Sequence, residues 1–307
     1  MKKLTFLTLS LFSVFTLAQE VSTERIKTVL ATLASDEMKG REIGTPENEN
    51  AANYIAKLFK ENNLEFCTGN SYLVPFDYKG KKVYNVCGAK KGKTDKYLGF
   101  SGHFDHIGID NNKSGDNIYN GADDDASGIT TLVGISDYFK TKKPEFSMVF
   151  MAFNGEEKGM LGSTAIADDK NLDKIYNNLY ALFNFEMVAT ESQFGKNAVF
   201  MTGDGFSDLD ELFNKNAVNG LKINADPYAA EQLFYRSDNV NFVKKKIIAH
   251  SISTADMTKI KHYHQVTDDV SIVDFDNMTQ IINNFGKTLD KLSPKNFAPK
   301  YNDTVKF

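Results

Sequence analysis

Residues 146–157 read FSMVFMAFNGEE. The first eight form an unbroken apolar run, the length of a strand buried on both faces. A polar cluster, Asn154-Gly155-Glu156-Glu157, follows at once. Working outward, residues 97–101 (YLGFS) and the stretch 178–188 (NLYALFNFEMV) have the same character, and residues 196–202 and 246–252 add two shorter strands. Helical patterns separate them. Residues 46–63 place Ala52, Ile55, Ala56, Leu58 and Phe59 at helical spacing, with Pro46 suited to a first turn. Residues 127–140, 206–219 and 272–291 also read as helices. Apolar strands alternating with helices predict an α/β sheet covered on both faces. In such sheets ligands bind at the carboxyl ends of the strands, where this chain puts its polar clusters. Residues 64–96, rich in Gly, Lys and Tyr, predict a small insertion or an edge hairpin.

Composition narrows the function. Of 307 residues, 41% are hydrophobic and 25% charged, the balance of a globular protein. The net charge is -4, and the longest basic run is Lys244-Lys245-Lys246, so no phosphate-binding surface and no nucleic-acid partner are expected. Lys2 and Lys3 precede an apolar run ending at Thr16-Leu17-Ala18, the form of an export signal. Cleavage after Ala18 removes two lysines and no acids. A secreted or periplasmic protein with no membrane span after signal removal is expected, since the run is short for a spanning helix. In an exported chain the two cysteines, Cys67 and Cys87, lean towards a disulfide. No oligomeric state is read from the sequence.

Five clusters carry chemistry. His103 ends a predicted strand, and Asp105, two residues on, is placed to accept its second ring proton. Gly121-Ala122-Asp123-Asp124-Asp125-Ala126-Ser127-Gly128 sets three adjacent acids at a helix start, where they require solvation or a cation. Glu156 and Glu157 leave a strand end in different directions, so one carboxylate can hold a metal while its neighbour faces a water. Glu186 lies in an apolar strand, where a carboxylate is costly unless paired or metal-bound. His262 and His264 close the set. Each cluster alone has an ordinary structural explanation. Together, two histidines and three carboxylates suit a pair of cations such as Zn²⁺ with one carboxylate bridging. The residues themselves do not choose Asp124 over its neighbours, or His264 over His262. No Gly-x-Ser-x-Gly elbow, P-loop or dinucleotide turn competes.

The order of motifs (GREIGTP from Gly40, then GHFDHIG, GADDDASG, NGEEKGMLGS, NFEMV, YRSDN and YHQVTDD) resembles the zinc-dependent M28 peptidases over residues 30 to 290. The resemblance implies a single domain, residues 19–307, with a mixed, mostly parallel sheet of the zinc-exopeptidase, phosphorylase/hydrolase-like kind. It implies two Zn²⁺ ions, with His103 and Glu186 as terminal ligands of one, Glu157 and His264 of the other, and Asp124 bridging. By the same resemblance Glu156 is the general base, Asp105 the partner of His103, and Tyr263 a hydrogen-bond donor to the oxyanion. A cis peptide after Asp124 is also implied.

Two positions depart from that pattern. Many relatives carry Asp at Glu186, and many read Ser-Asp-His where this chain has Ser237-Asp238-Asn239. The expected activity is aminopeptidase cleavage of peptide substrates by metal-activated water. A glutaminyl cyclase or carboxypeptidase-like enzyme on the same fold, or a non-catalytic binding protein, is the alternative.

Overall fold

The computed structural model describes residues 20–302, so the expected signal at residues 1–18 lies outside the described residues. In chain order the strands are β1 (Glu65–Phe66), β2 (Leu73–Tyr78), β3 (Lys81–Lys90), β4 (Tyr97–His103), β5 (Gly108–Ile109), β6 (Ile118–Tyr119), β7 (Ser147–Phe153), β8 (Leu179–Phe185), β9 (Ala198–Met201), β10 (Lys222–Ala225) and β11 (Ala249–Ser253). The helices are α1 (Thr23–Leu33), α2 (Pro46–Glu61), α3 (Gly128–Tyr138), α4 (Leu161–Ala167), α5 (Asp173–Tyr176), α6 (Leu209–Asn216), α7 (Asn239–Val243) and α8 (Phe275–Leu289).

One sheet runs β1-β3-β7-β4-β8-β11-β9-β10, with β2 paired to β3; β5 and β6 form a separate ribbon. Its centre, β7-β4-β8-β11, is parallel. The opening sequence explains why. Along β7, Met148, Phe150 and Ala152 enter a core shared with α1, α2, α3 and α8, whereas Val149, Met151 and Phe153 enter a second core with Ile166 of α4, Ile175 of α5 and Phe242 of α7. A strand sandwiched between two helix layers needs apolar side chains at both parities. Register reinforces the first core: Phe100 pairs with both Phe150 and Phe183 and stacks on them, ring centroids 5.2 and 5.9 Å apart.

Helix α2 starts as its sequence predicts. Thr45 caps the Asn48 N–H, Pro46 takes the first turn, and Ala51, Ala52, Ile55, Leu58 and Phe59 are buried. Residues 64–96 are the margin of the main sheet. The β2–β3 hairpin joins it through antiparallel pairing of β3 with β7, and Cys67 and Cys87 are disulfide-bonded. Among the described residues no helix is long and apolar enough to cross a membrane.

Candidate metal centre

Three central parallel strands deliver the expected site residues to one edge. β4 ends on His103, β7 is followed by Glu156 and Glu157, and β8 ends at Phe185, so Glu186 is the first residue beyond its strand. The three adjacent acids have separate tasks. Asp123 accepts the Ala189 N–H on Oδ1 and faces His262 Nε2 at 3.0 Å through Oδ2. Asp125 accepts backbone N–H groups of His103, Gly128 and Met187, tying the ends of β4 and β8 to the start of α3. Asp124 points both oxygens at histidines, with Oδ1 3.2 Å from His103 Nε2 and Oδ2 3.3 Å from His264 Nε2. Its own N–H and that of Asp123 are held by the two carboxylate oxygens of Asp268. The peptide between Asp124 and Asp125 is cis.

Two donor sets result, sharing Asp124. In the first, Glu186 Oε1 lies 3.4 Å from His103 Nε2. In the second, Glu157 Oε2 lies 3.2 Å from His264 Nε2. Two ligands of a tetrahedral zinc at about 2.0–2.1 Å stand about 3.3–3.4 Å from each other, the spacing found in both sets. His103 Nε2 is buried without an aligned hydrogen bond. His103 Nδ1 donates to the Asp105 carbonyl oxygen at 3.1 Å, which leaves Nε2 as the lone-pair nitrogen. Donor chemistry and spacing therefore fit zinc. His103, Asp125 and Glu186, and likewise His106, Asp124 and Glu157, also lie close enough to hold an ion. The three backbone amides on Asp125 make Asp124 the freer carboxylate.

A sequence profile of peptidase family M28 matches residues 85–289. The chain belongs to peptidase family M28. M28 enzymes are zinc metallopeptidases. A probable zinc metalloprotease of Pyrenophora tritici-repentis is 40% identical over 68 residues, 22% of this chain and 15% of that protein. The chain thus spans about 15% of the length of this curated relative. Two solved structures from Bacteroides thetaiotaomicron share the fold. Glutaminyl cyclase bound to N-acetylhistamine is 15% identical at a TM-score of 0.70, covering 90% of this chain and 100% of that one. A leucine aminopeptidase precursor is 15% identical at 0.69, covering 90% and 99%.

In this M28 chain three of the donors, Asp124, Glu186 and His264, line a cavity of about 100 Å³. Glu156 and Tyr263 line it beside them, and Met187, Phe200, Leu233 and Met257 supply apolar surface. The hydroxyls of Ser237, Ser251 and Ser253 in its lining are already bonded to Glu186, Asn239 and the Met187 carbonyl. A larger groove of about 560 Å³, bordered by residues such as Asn70, Phe76 and Asn171, includes none of the donors.

Electrostatics distinguishes the two glutamates. Burial pushes the Glu156 carboxyl up to about 10, with Glu186, Asp238 and Asp124 adding to the rise. Burial also acts on Glu157, but contacts with His106 and His264 outweigh it and hold its carboxyl at about 2. Burial and the neighbouring carboxylates raise the Tyr263 phenol, which keeps it a donor. Asp105 sits beside His103, with its carboxylate 3.7 Å from Nδ1 and its oxygens accepting the backbone N–H groups of Glu156 and Glu157.

Two residues had no role in the sequence reading. Arg41, in the quoted GREIGTP stretch, is fully buried and donates to the carbonyls of Leu33, Phe104, Asn120 and Gly121. It clamps the His103 and Asp124 loops together. His106 is fully buried beside Glu157. Its signal was Gly121, where a side chain would collide with the His106 ring.

Proposed function

We propose that this chain is a two-zinc aminopeptidase, exported by the signal read in residues 1–18, with residues 19–307 as its peptidase domain. One observation carries the reading: two His/carboxylate sets share Asp124, which lines a small, partly apolar cavity. His103, Asp124 and Glu186 would hold one ion, and His264, Asp124 and Glu157 the other. Bound zinc supplies a Lewis acid and lowers the pKa of a coordinated water towards 7.

The chain's own residues complete the chemistry. Glu156 takes a proton from the attacking water and delivers it to the leaving amine. It works as a carboxylate, since the positive charge of bound ions would oppose the rise that burial imposes on it. Tyr263 donates its phenolic proton in a hydrogen bond to the developing oxyanion. Asp105 acts through others, holding the backbone that aims Glu156 and Glu157. The acidic wall attracts the ammonium of a free peptide N-terminus, and the cavity beyond receives the first side chain.

Paired assays of aminoacyl or dipeptide substrates with free and acetylated N-termini, with and without chelator, test this reading. Free amines should react far faster, and chelator should abolish the activity. Equal rates on blocked substrates contradict it. The likeness to glutaminyl cyclase supplies the second reading. Cyclisation needs no activated water, so the completeness of both donor sets supports hydrolysis. Conversion of an N-terminal glutamine to a pyroglutamyl residue that stays on the peptide, with release of ammonia, would favour the cyclase instead.

A further inference from the structure

His106 is a buried imidazole that the proposed chemistry does not use. Its Nδ1 lies 2.8 Å from Oε1 of Glu157, and neither atom makes an aligned hydrogen bond to any other described group or to the other. The two oxygens of Glu157 are thereby differentiated. Oε2 stands 3.2 Å from His264 Nε2, on the side of the second donor set, while Oε1 meets His106. His106 Nδ1 is 3.8 Å from Asp124 Oδ2, wider than the about 3.3–3.4 Å between two ligands of one tetrahedral zinc. By contrast, 2.8 Å is within reach of an N–H donor on a carboxylate, and the pair needs only to align as Oε2 takes up an ion.

The surroundings keep the ring there. Gly121 lacks the Cβ that would approach it to 2.7 Å, and the rings of His106 and His264 meet edge to face at 5.7 Å. We propose that His106 is a positioning residue for the second metal, anchoring Oε1 of Glu157 so that Oε2 is the oxygen presented to the ion. This rests on the two-zinc reading above. Partners of ligating carboxylates typically change metal affinity by 10–100-fold when removed.

The experiment compares His106→Leu, His106→Asn and the wild type as full mature chains. Zn²⁺ affinities of both sites are measured by chelator competition, and the visible spectrum of the Co²⁺-loaded protein is recorded. Leucine has no donor and should weaken the second site about 10–100-fold while leaving the first intact. Asparagine places an N–H near the Nδ1 position and should restore affinity to within a few fold, with an unchanged Co²⁺ spectrum. First-site binding and the melting temperature of the metal-free chain serve as the folding control. If the leucine variant does not fold, His106→Gln, whose donor lies one bond too far out, replaces it. Wild-type affinity in the leucine variant overturns the proposal. So does an asparagine variant as weak as leucine with an altered Co²⁺ spectrum, which would make His106 a ligand itself. A wild-type chain that takes up one ion overturns the two-zinc reading as well.

Discussion

The hydroxyl of Ser237 donates to Oε2 of Glu186 at 2.6 Å, while Oε1 of the same carboxylate faces His103 Nε2 at 3.4 Å. Ser237 fixes a side chain one methylene longer than an aspartate would be. Asn184 donates to Ser237 Oγ in turn, at 2.9 Å. Ser237→Ala should lower first-site zinc affinity about 10-fold or more and spare the second site. Glu186→Asp should do the same, since a shorter side chain cannot keep both contacts. Chelator competition measures both effects, and unchanged first-site affinity in the two variants contradicts the assignment.

Glu156→Gln tests the proton carrier. The amide keeps the size of the side chain and removes its basicity. Turnover should fall about 10²–10⁴-fold, with zinc content unchanged by elemental analysis. Wild-type turnover in this variant would exclude Glu156 as the base.

Arg41 is expected to matter for stability. Arg41→Met strands the carbonyl oxygens of Leu33, Phe104 and Asn120, while that of Gly121 keeps the Ala126 N–H. Each buried acceptor left unpaired costs roughly 1–3 kcal/mol, and the losses are not additive. Urea unfolding should show a loss above about 4 kcal/mol. Lysine should rescue little, because a single ammonium cannot reach the same four acceptors.

His250 predicts the pH dependence of stability at a point that lines neither donor set. Burial pushes its imidazole down to about 4, and it bridges Ser207 Oγ and the Thr202 carbonyl oxygen, each at 2.8 Å. Below the ordinary histidine value the unfolded chain binds a proton that the native chain refuses. Stability from this group is therefore complete above about pH 6.5 and is lost as pH falls towards 4. The span amounts to roughly 3 kcal/mol. His250→Gln should be less stable at pH 8 and show a flatter decline between pH 6.5 and 4 by urea unfolding. An unchanged slope contradicts the buried neutral imidazole.

The central strands were legible because burial on both faces demands apolar residues at both parities, as in FSMVFMAF. Helix α1 was equally available, with Ser22 capping Arg25 and Ile26, Val29, Leu30 and Leu33 buried, but short amphipathic segments near an end compete with loop patterns. In the site, local sequence could not rank Asp123, Asp124 and Asp125. Their difference lies in partners far along the chain: Ala189, Asp268 and Met187. The resemblance selected Asp124 and His264, the residues whose side chains meet across the shared donor sets. Arg41 and His106 went unassigned for a related reason. Each acts through contacts the chain makes only when folded, with carbonyls in one case and a carboxylate oxygen in the other.

The number of ions that the paired sets hold decides between one metal and two. Purified mature protein, stripped with chelator and titrated with Zn²⁺ in a calorimeter, should bind two ions per chain. His264→Ala should bind one, and so should Glu186→Ala. A wild-type chain that saturates at a single zinc, or that loses all binding in either variant, would contradict two sets sharing Asp124.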